Sequence, residues 1–279
     1  MQTTLSHIRN SLASFYAKGE IESFIAIIFR HLFHYSRNEM ILNANRQLSQ
    51  NDFHKIEQIV SRLMKHEPIQ YILGETEFYN LIFKVTPDVL IPRNETEELV
   101  DLILKNHPNE PLKVLDIGTG SGCIPIALKK FHPKFKVYSC DVSEKALNVA
   151  IQNATDNKAE VHFFRFDVLG NQPLPFGAID ILVSNPPYVT EKEKLLMAPN
   201  VLENEPHLAL FVPDNDPLLF YREITMKALD KMKQGGHLYF EINEKYGPAV
   251  CAMLTEKGFT AELLSDINGK ERMVRGVKG

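Results

Sequence analysis

The stretch Lys113-Val-Leu-Asp-Ile-Gly-Thr-Gly-Ser-Gly122, KVLDIGTGSG, sets an apolar run directly against glycines at positions 118, 120 and 122. A short apolar run bounded by glycine reads as a buried strand. The alanine- and lysine-bearing segment behind it, to about Phe131, reads as a helix. Glycine between strand and helix lets backbone approach a ligand closely and tolerates positive φ. The helix that follows presents free N–H groups to an anionic group. The spacing excludes two common ligand loops. A G-x-G-x-x-G dinucleotide fingerprint would need glycine at position 123, which is Cys123, and no Gly-Lys-Ser/Thr follows, as a phosphate-cradling P-loop requires.

Outward from this loop, apolar runs alternate with helical segments from Pro111 onward: KVLDIG, KVYSCDV, SEKALNVAIQNA, VHFFRF and DILVSN. A helix near 217–233, the strand HLYFEIN, a helix near 246–257 and two extended stretches complete the pattern. Strands alternating with helices predict a parallel sheet covered on both faces. Alternating glycines after the acidic Asp116 resemble the S-adenosylmethionine loop of Rossmann-like class I methyltransferases. On that reading Gly118, Thr119, Gly120, Ser121 and Gly122 cradle the cofactor. The next strand ends on Asp141, where an acid accepts hydrogen bonds from ribose hydroxyls. After the third strand comes Phe166-Asp167-Val168, with an acid for an exocyclic amine and an apolar side chain for a ring face. Acids at strand ends also cap helices, and for Asp141 alone the two readings weigh equally. Loop, Asp141 and Asp167 recur in order at the carboxyl ends of successive strands, where open α/β sheets bind ligands.

The fourth strand of this series runs into Asp180-Ile-Leu-Val-Ser-Asn-Pro-Pro-Tyr-Val189. An isolated Asn-Pro-Pro is a proline-stiffened turn. Beside a methyl donor it does more. A planar NH2 is a poor nucleophile because its lone pair is delocalised, so attack on a sulfonium methyl needs the nitrogen held in line. The Asn185 side-chain oxygen and the Pro186 carbonyl, its direction fixed by proline φ, supply two acceptors for the two hydrogens. Pro187 stiffens the turn, and Tyr188 offers a flat face to a planar group. The catalytic expectation is therefore Asn185, Pro186 and Tyr188, acting by positioning and preorganised polarity. The amide of glutamine, N6 of adenine and N2 of guanine all satisfy this logic.

Residues before the sheet read differently. Apolar side chains recur at helical spacing at Ile8, Leu12 and Phe15, then at Ile21, Phe24, Ile25, Ile28 and Phe29. A third helix is expected from Asn51 to about Lys65, capped by Ser49 or Asn51. TEFYNLIFKV at 76–85 reads as a hairpin turning at Asn80. The expected organisation is a helical docking domain at 1–75, a β-hairpin linker at 76–92 and a Rossmann-like domain at 93–279. His31 and His34 share a helical face, but no further ligand joins them at metal-site spacing, so no metal is expected. Cys123, Cys140 and Cys251 form no CxxC pair, which fits a reducing cytoplasm. A net charge of -4 gives no global basic signature for gripping nucleic acid. Neither a secretory signal nor a membrane span is read from the sequence. A soluble cytoplasmic monomer is the expectation.

Several strings together narrow the acceptor. Glu67-Pro-Ile-Gln-Tyr-Ile-Leu-Gly74, Glu77-Phe78, Leu90-Ile-Pro-Arg-Asn-Glu-Thr-Glu97, LDIGTGSGCI at 115–124, SNPPY at 184–188 and Glu205-Pro206 resemble the peptide chain release factor glutamine methyltransferases, the HemK or PrmC family. The resemblance implies transfer from S-adenosylmethionine to N5 of the glutamine in the Gly-Gly-Gln loop of a release factor, with the N-terminal bundle helping to dock that protein. It assigns Gly118 through Gly122, Asp141, Asp167, Val168 and Asn185 to the cofactor, and Asn185 through Tyr188 to the glutamine. Arg93 reads equally as a ligand for a carboxylate or the substrate, and as a solvated linker charge. Asn94 stands where the family string carries proline, and Val168 where a larger residue is usual. A nucleic-acid methyltransferase acting on an extruded base is the alternative, and a non-catalytic S-adenosylmethionine-binding adaptor the third reading.

Overall fold

The structure, a computed structural model, describes residues 1–108, 110–175 and 177–279. It divides into two compact units, 1–74 with 199–204, and 75–198 with 205–279. The smaller unit holds α1 (Gln2–Leu12), α2 (Lys18–Phe33), α3 (Arg37–Leu42), α4 (Gln50–Leu63) and α5 (Ile69–Leu73). Its core is Ile8 and Leu12 from α1, Ile21, Ile25, Ile28 and Phe29 from α2, and Ile56, Ile59, Val60 and Leu63 from α4. These are the positions that a 3.6-residue period places on one face of each helix. Full burial of each such side chain contributes roughly 1.5–3 kcal/mol relative to exposure. Ser49 starts α4 through a capping box with Asp52, its hydroxyl accepting from the Asp52 N–H at 3.1 Å. His34 ends α2 in the left-handed conformation at φ 57°, its N–H donating to the Arg30 carbonyl.

The larger unit opens with a hairpin of β1 (Glu75–Phe78) and β2 (Leu81–Lys84). Tyr79 and Asn80 both take positive φ, 48° and 59°, as a tight two-residue turn between right-twisted strands requires. The chain continues through α6 (Asn94–Asn106), β3 (Lys113–Ile117), α7 (Cys123–Phe131), β4 (Lys136–Asp141), α8 (Glu144–Asp156), β5 (Val161–Arg165) and β6 (Ile179–Ser184). After the short β7 (Val189–Thr190), α9 (Pro199–Leu202), which belongs to the smaller unit, and β8 (Phe211–Val212) come α10 (Leu219–Lys231), β9 (Met232–Glu241), α11 (Gly247–Glu256), β10 (Phe259–Ser265) and β11 (Glu271–Lys278).

Among the described residues the main sheet has seven strands in the order β10-β11-β9-β6-β3-β4-β5. Both faces are covered, so consecutive residues of a strand enter different cores. Leu115, Leu182, Leu238 and Phe240 pack on one side, and Val114, Ile181, Val183 and Tyr239 on the other. This is why these strands read as unbroken apolar runs rather than alternating ones. The sheet is not wholly parallel. β11 lies antiparallel between β9 and β10, because a tight turn without a crossover helix joins β10 to β11, and such a connection permits only antiparallel pairing.

The chain leaves β3 in one direction, through β4 to β5, and returns on the other side of β3 as β6. Between β3 and β6 the strand order reverses. Loops at the carboxyl ends of these two strands therefore diverge and leave a crevice, the usual ligand position of an open α/β sheet.

Candidate active site

Into that crevice β3 delivers Gly118 through Gly122 and β6 delivers Asn185. The loop is tied at several points. Gly118 and Thr119 donate their N–H groups to the Cys140 carbonyl at 2.9 and 3.0 Å. The Gly120 N–H donates to Asp141 Oδ2 at 3.0 Å, while Asp141 Oδ1 accepts from the Ser143 N–H at 2.9 Å. Ser184 donates its hydroxyl to the Ile117 carbonyl at 2.6 Å and so joins the tips of β6 and β3. Burial raises the Asp141 carboxyl above its usual range, and the N–H groups of Gly120, Ser143 and Val142 pull it back.

These ends surround a cavity of about 410 Å³, within the range of sites that hold a small ligand. Gly118, Thr119, Gly120, Ser121, Asp141, Asp167, Val168, Asn185, Pro186, Pro187 and Arg93 all line it. Asp167 is exposed, its Oδ1 accepting from the Leu169 N–H at 3.0 Å, and Val168 is buried beside it.

Three residues stand apart from the others in this geometry. Gly122 is not on the cavity wall. At φ 82° it serves as the N-cap of α7, and a Cβ there would meet Ile126 Cδ1 at 2.9 Å and Ala150 Cβ at 3.1 Å. Its lack of a side chain serves helix packing. Tyr188 does not line the cavity either. Its half-buried ring packs against the core and its hydroxyl donates to Glu241 Oε1 at 3.3 Å. Arg93 is on the wall, but its guanidinium pairs with Glu205 Oε1 at 2.5 Å, and the Glu205 side chain is only 1% exposed. Glu205 Oε2 also accepts from the Ile91 N–H at 3.3 Å. Arg93 is neither a solvated linker charge nor an unpaired ligand group.

Two family models match the sequence, the PrmC N-terminal domain over residues 4–74 and the methyltransferase small domain over 93–209. The release factor glutamine methyltransferase of Bacteroides thetaiotaomicron is 44% identical over 275 residues, covering 98% of this chain and 99% of that protein. The enzyme of the same name from Flavobacterium psychrophilum is 44% identical over 270 residues, covering 95% and 94%. The chain belongs to the release factor glutamine methyltransferase family. In fold it is similar to a methyltransferase from Pyrococcus furiosus, with a TM-score of 0.54 at 17% identity over 78% of this chain and 97% of that one.

A methyl-donor site of this family must satisfy the polar groups of an amino acid and a nucleoside. The crevice has atoms to spare for that. On the cavity wall Thr119 Oγ1 and Ser121 Oγ are buried and make no geometric hydrogen bond within the protein, and Asp116 Oδ1, fully buried behind the wall, makes none either. The Thr119 hydroxyl is near enough to Asp116 to favour its charged form, without the geometry of a bond. Buried polar groups left this way are costly unless a ligand or water meets them. Burial pushes the Asp116 carboxyl up to about 7, against the pull of Ser139 and Thr119. At Gly118 and Gly120 a Cβ would meet nothing within 4 Å, so backbone there faces open space. Phe166, Phe220 and Ile224 add apolar wall. The residues present fit an adenosyl sulfonium amino acid.

Sequence reasoning missed two polar residues behind Asn185. Thr96, 2% exposed, donates its hydroxyl to Glu241 Oε2 at 2.6 Å and accepts from Asn185 Nδ2 at 3.3 Å. Glu241, also 2% exposed, ends β9 at the same sheet edge. Its signal was present: an acid closing the apolar run HLYFE matches the pattern that singled out Asp141.

Proposed function

We propose that this protein transfers a methyl group from S-adenosylmethionine to the side-chain amide nitrogen of the glutamine in the Gly-Gly-Gln loop of peptide chain release factors. One observation carries the reading: Asn185, Pro186 and Pro187 line the same cavity as Gly118 through Ser121, in a chain that matches release factor glutamine methyltransferases over nearly its whole length. When bound, S-adenosylmethionine supplies an electrophilic sulfonium methyl.

The chain's own residues do the rest. Gly118, Thr119, Gly120 and Ser121 cradle the donor's polar end, Asp141 accepts from its ribose, and Val168 and Phe166 cover its base. The Asn185 side-chain oxygen and the Pro186 carbonyl accept the two hydrogens of the substrate amide, aim its nitrogen and favour departure from planarity. Arg93, held by Glu205, braces the wall. The positively charged amide nitrogen formed by methyl transfer is strongly acidic and gives its proton to water. Catalysis on this reading is positioning and preorganised polarity, worth several powers of ten together.

We further propose that residues 1–75 dock the release factor, with 76–92 as linker and 93–279 as the catalytic domain. The separate apolar core of the N-terminal unit and its family match over 4–74 support this. The test is transfer of labelled methyl from S-adenosylmethionine to a purified release factor, with duplex DNA and RNA as alternative acceptors. Label enters the protein alone, and a Gly-Gly-Ala release factor takes none. Label in nucleic acid would reverse the assignment.

A further inference from the structure

Asn185 has an amide with two chemically opposite ends, and only one is useful. Facing a substrate NH2, its oxygen attracts and its own NH2 repels. Among the described residues no hydrogen bond from the glycine loop to the Asn185 side chain chooses between them. The choice is made behind it.

Glu241 is a buried carboxylate at the end of β9. Its Oε1 accepts from the Tyr188 hydroxyl at 3.3 Å and its Oε2 from the Thr96 hydroxyl at 2.6 Å. Burial raises the Glu241 carboxyl, and hydrogen bonds from Thr96, Tyr188 and Asn185 pull it back toward the charged form; as a carboxylate it only accepts hydrogen bonds, and a hydroxyl has a single hydrogen to give. Thr96 has therefore spent its hydrogen on Glu241, and its oxygen is left as an acceptor. The group that meets it at 3.3 Å is Asn185 Nδ2. With the NH2 end engaged there, the side-chain oxygen is the end that remains for the cavity, which Asn185 lines. The same carboxylate anchors both ends of Asn185-Pro-Pro-Tyr188, through Thr96 at one and directly at the other. Thr96 comes from the first turn of α6 and Glu241 from β9, so two separate elements converge on one amide.

We propose that Glu241 and Thr96 are positioning residues that set the polarity of the Asn185 amide, so that its oxygen faces the incoming substrate nitrogen. This deepens the functional reading above and rests on it for the identity of the substrate group. Glu241→Gln changes almost no volume but supplies a donor. Its NH2 donates to Thr96, which frees the Thr96 hydroxyl to donate to Asn185, and the amide turns its NH2 to the cavity. Thr96→Val removes the relay at constant shape, and Thr96→Ser retains it.

The experiment combines kinetics with a probe of the amide itself. Methyl transfer to a purified release factor is measured for the wild type, Thr96→Val, Thr96→Ser, Glu241→Gln and Asn185→Ala, beside S-adenosylhomocysteine affinity and thermal midpoint. In ¹⁵N-labelled enzyme without substrate, hydrogen exchange of the Asn185 side-chain NH2 is followed, its signals identified by their loss in Asn185→Ala. Thr96→Val and Glu241→Gln lower kcat by roughly ten- to a hundredfold. S-adenosylhomocysteine affinity and the release-factor KM stay near wild type, and Thr96→Ser recovers most of the lost rate. The Asn185 NH2 exchanges slowly in the wild type and in Thr96→Ser, and faster in Thr96→Val and Glu241→Gln. Unchanged exchange in both of those variants would overturn the proposal, as would equal losses for Thr96→Val and Thr96→Ser. A wild type that methylates no release factor would instead overturn the functional reading, and the exchange data would still decide the polarity claim.

Discussion

Gly118 and Gly122 have the same φ, 82°, yet they face different surroundings. An alanine at 118 meets open space and bears only the left-handed backbone strain, about 1–2 kcal/mol. An alanine at 122 bears that strain and also collides with α7 and α8, adding about 1–3 kcal/mol of overpacking. Gly118→Ala should therefore lose S-adenosylhomocysteine affinity while staying folded, and Gly122→Ala should lose chiefly stability, by urea denaturation and calorimetry. A larger stability loss at 118 would contradict the assignment. Arg93 obeys the same kind of local logic. Arg93→Ala leaves the buried Glu205 unpaired and should cost about 3 kcal/mol, with part recovered in Arg93→Ala/Glu205→Gln. No recovery in that double variant would mean the pair is not what the arginine is for. The glycines, Asp141 and Asn185 were legible because strand, turn and polar tip follow one another in sequence. The Tyr188–Glu241 bond was not legible, because the two residues lie 53 positions apart and local sequence carries no trace of that pairing.

Between elements, buried amides act as connectors. Asn153 on α8 is fully buried. It accepts from the Lys84 N–H at 2.7 Å, donates to the Lys84 carbonyl at 2.9 Å and donates to the Ser121 carbonyl at 2.9 Å. One side chain thus ties the β1–β2 hairpin to the glycine loop. Asn153→Leu strands the buried Ser121 carbonyl and two part-buried groups of Lys84 and should cost about 2 kcal/mol, weakening S-adenosylhomocysteine binding as Ser121 loosens. A loss under about 0.5 kcal/mol would contradict this. The hairpin itself was legible from its turn at Asn80. Its connection to α8 was not, since an asparagine inside an amphipathic helix reads as an ordinary solvated position. The antiparallel β11 was likewise hidden, because the helix–strand alternation that predicts a parallel sheet says nothing about a final hairpin.

His107, at the end of α6, links that helix to β9 and gives the fold an acid-sensitive point. It is 4% exposed, contacts the Tyr239 hydroxyl at 3.1 Å and packs against His237 at 4.6 Å between ring centres. Burial first, then the neighbouring charge of His237, pushes its pKa down to about 4, with Arg275 adding to the effect and Glu110 opposing it. An unfolded histidine takes up its proton near pH ~6.5. Between those values the unfolded chain binds more protons than the folded one. Stability from this group is therefore complete above pH ~6.5 and is lost as pH falls toward ~4, by about 3 kcal/mol. Asp116 works in the opposite sense, since its raised pKa makes folding less favourable as pH rises toward about 7. It is common to wild type and variant, so it drops out of a comparison. The loss of stability between pH 7 and 4.5 should be smaller in His107→Gln than in the wild type, and equal losses would contradict the account.

For the whole molecule, the order in which the chain fills its sheet is what makes a catalyst of these parts. β3 and β6 are adjacent and parallel while their onward connections diverge, so a glycine loop and an asparagine about 65 residues apart share one crevice. Strand alternation made that fold readable from sequence, and strings such as EPIQYILG and SNPPY made the family readable. The wall supplied by Phe220 and Ile224 was not, because α10 was recognisable only as a helix and not as one facing the cavity. The most direct measurement of the central claim is tandem mass spectrometry of a release factor incubated with S-adenosylmethionine and either the wild type or Asn185→Ala. The account predicts a single methyl on the side-chain nitrogen of the Gly-Gly-Gln glutamine with the wild type and almost none with the variant. A methyl on any other atom, or equal methylation by Asn185→Ala, would contradict it.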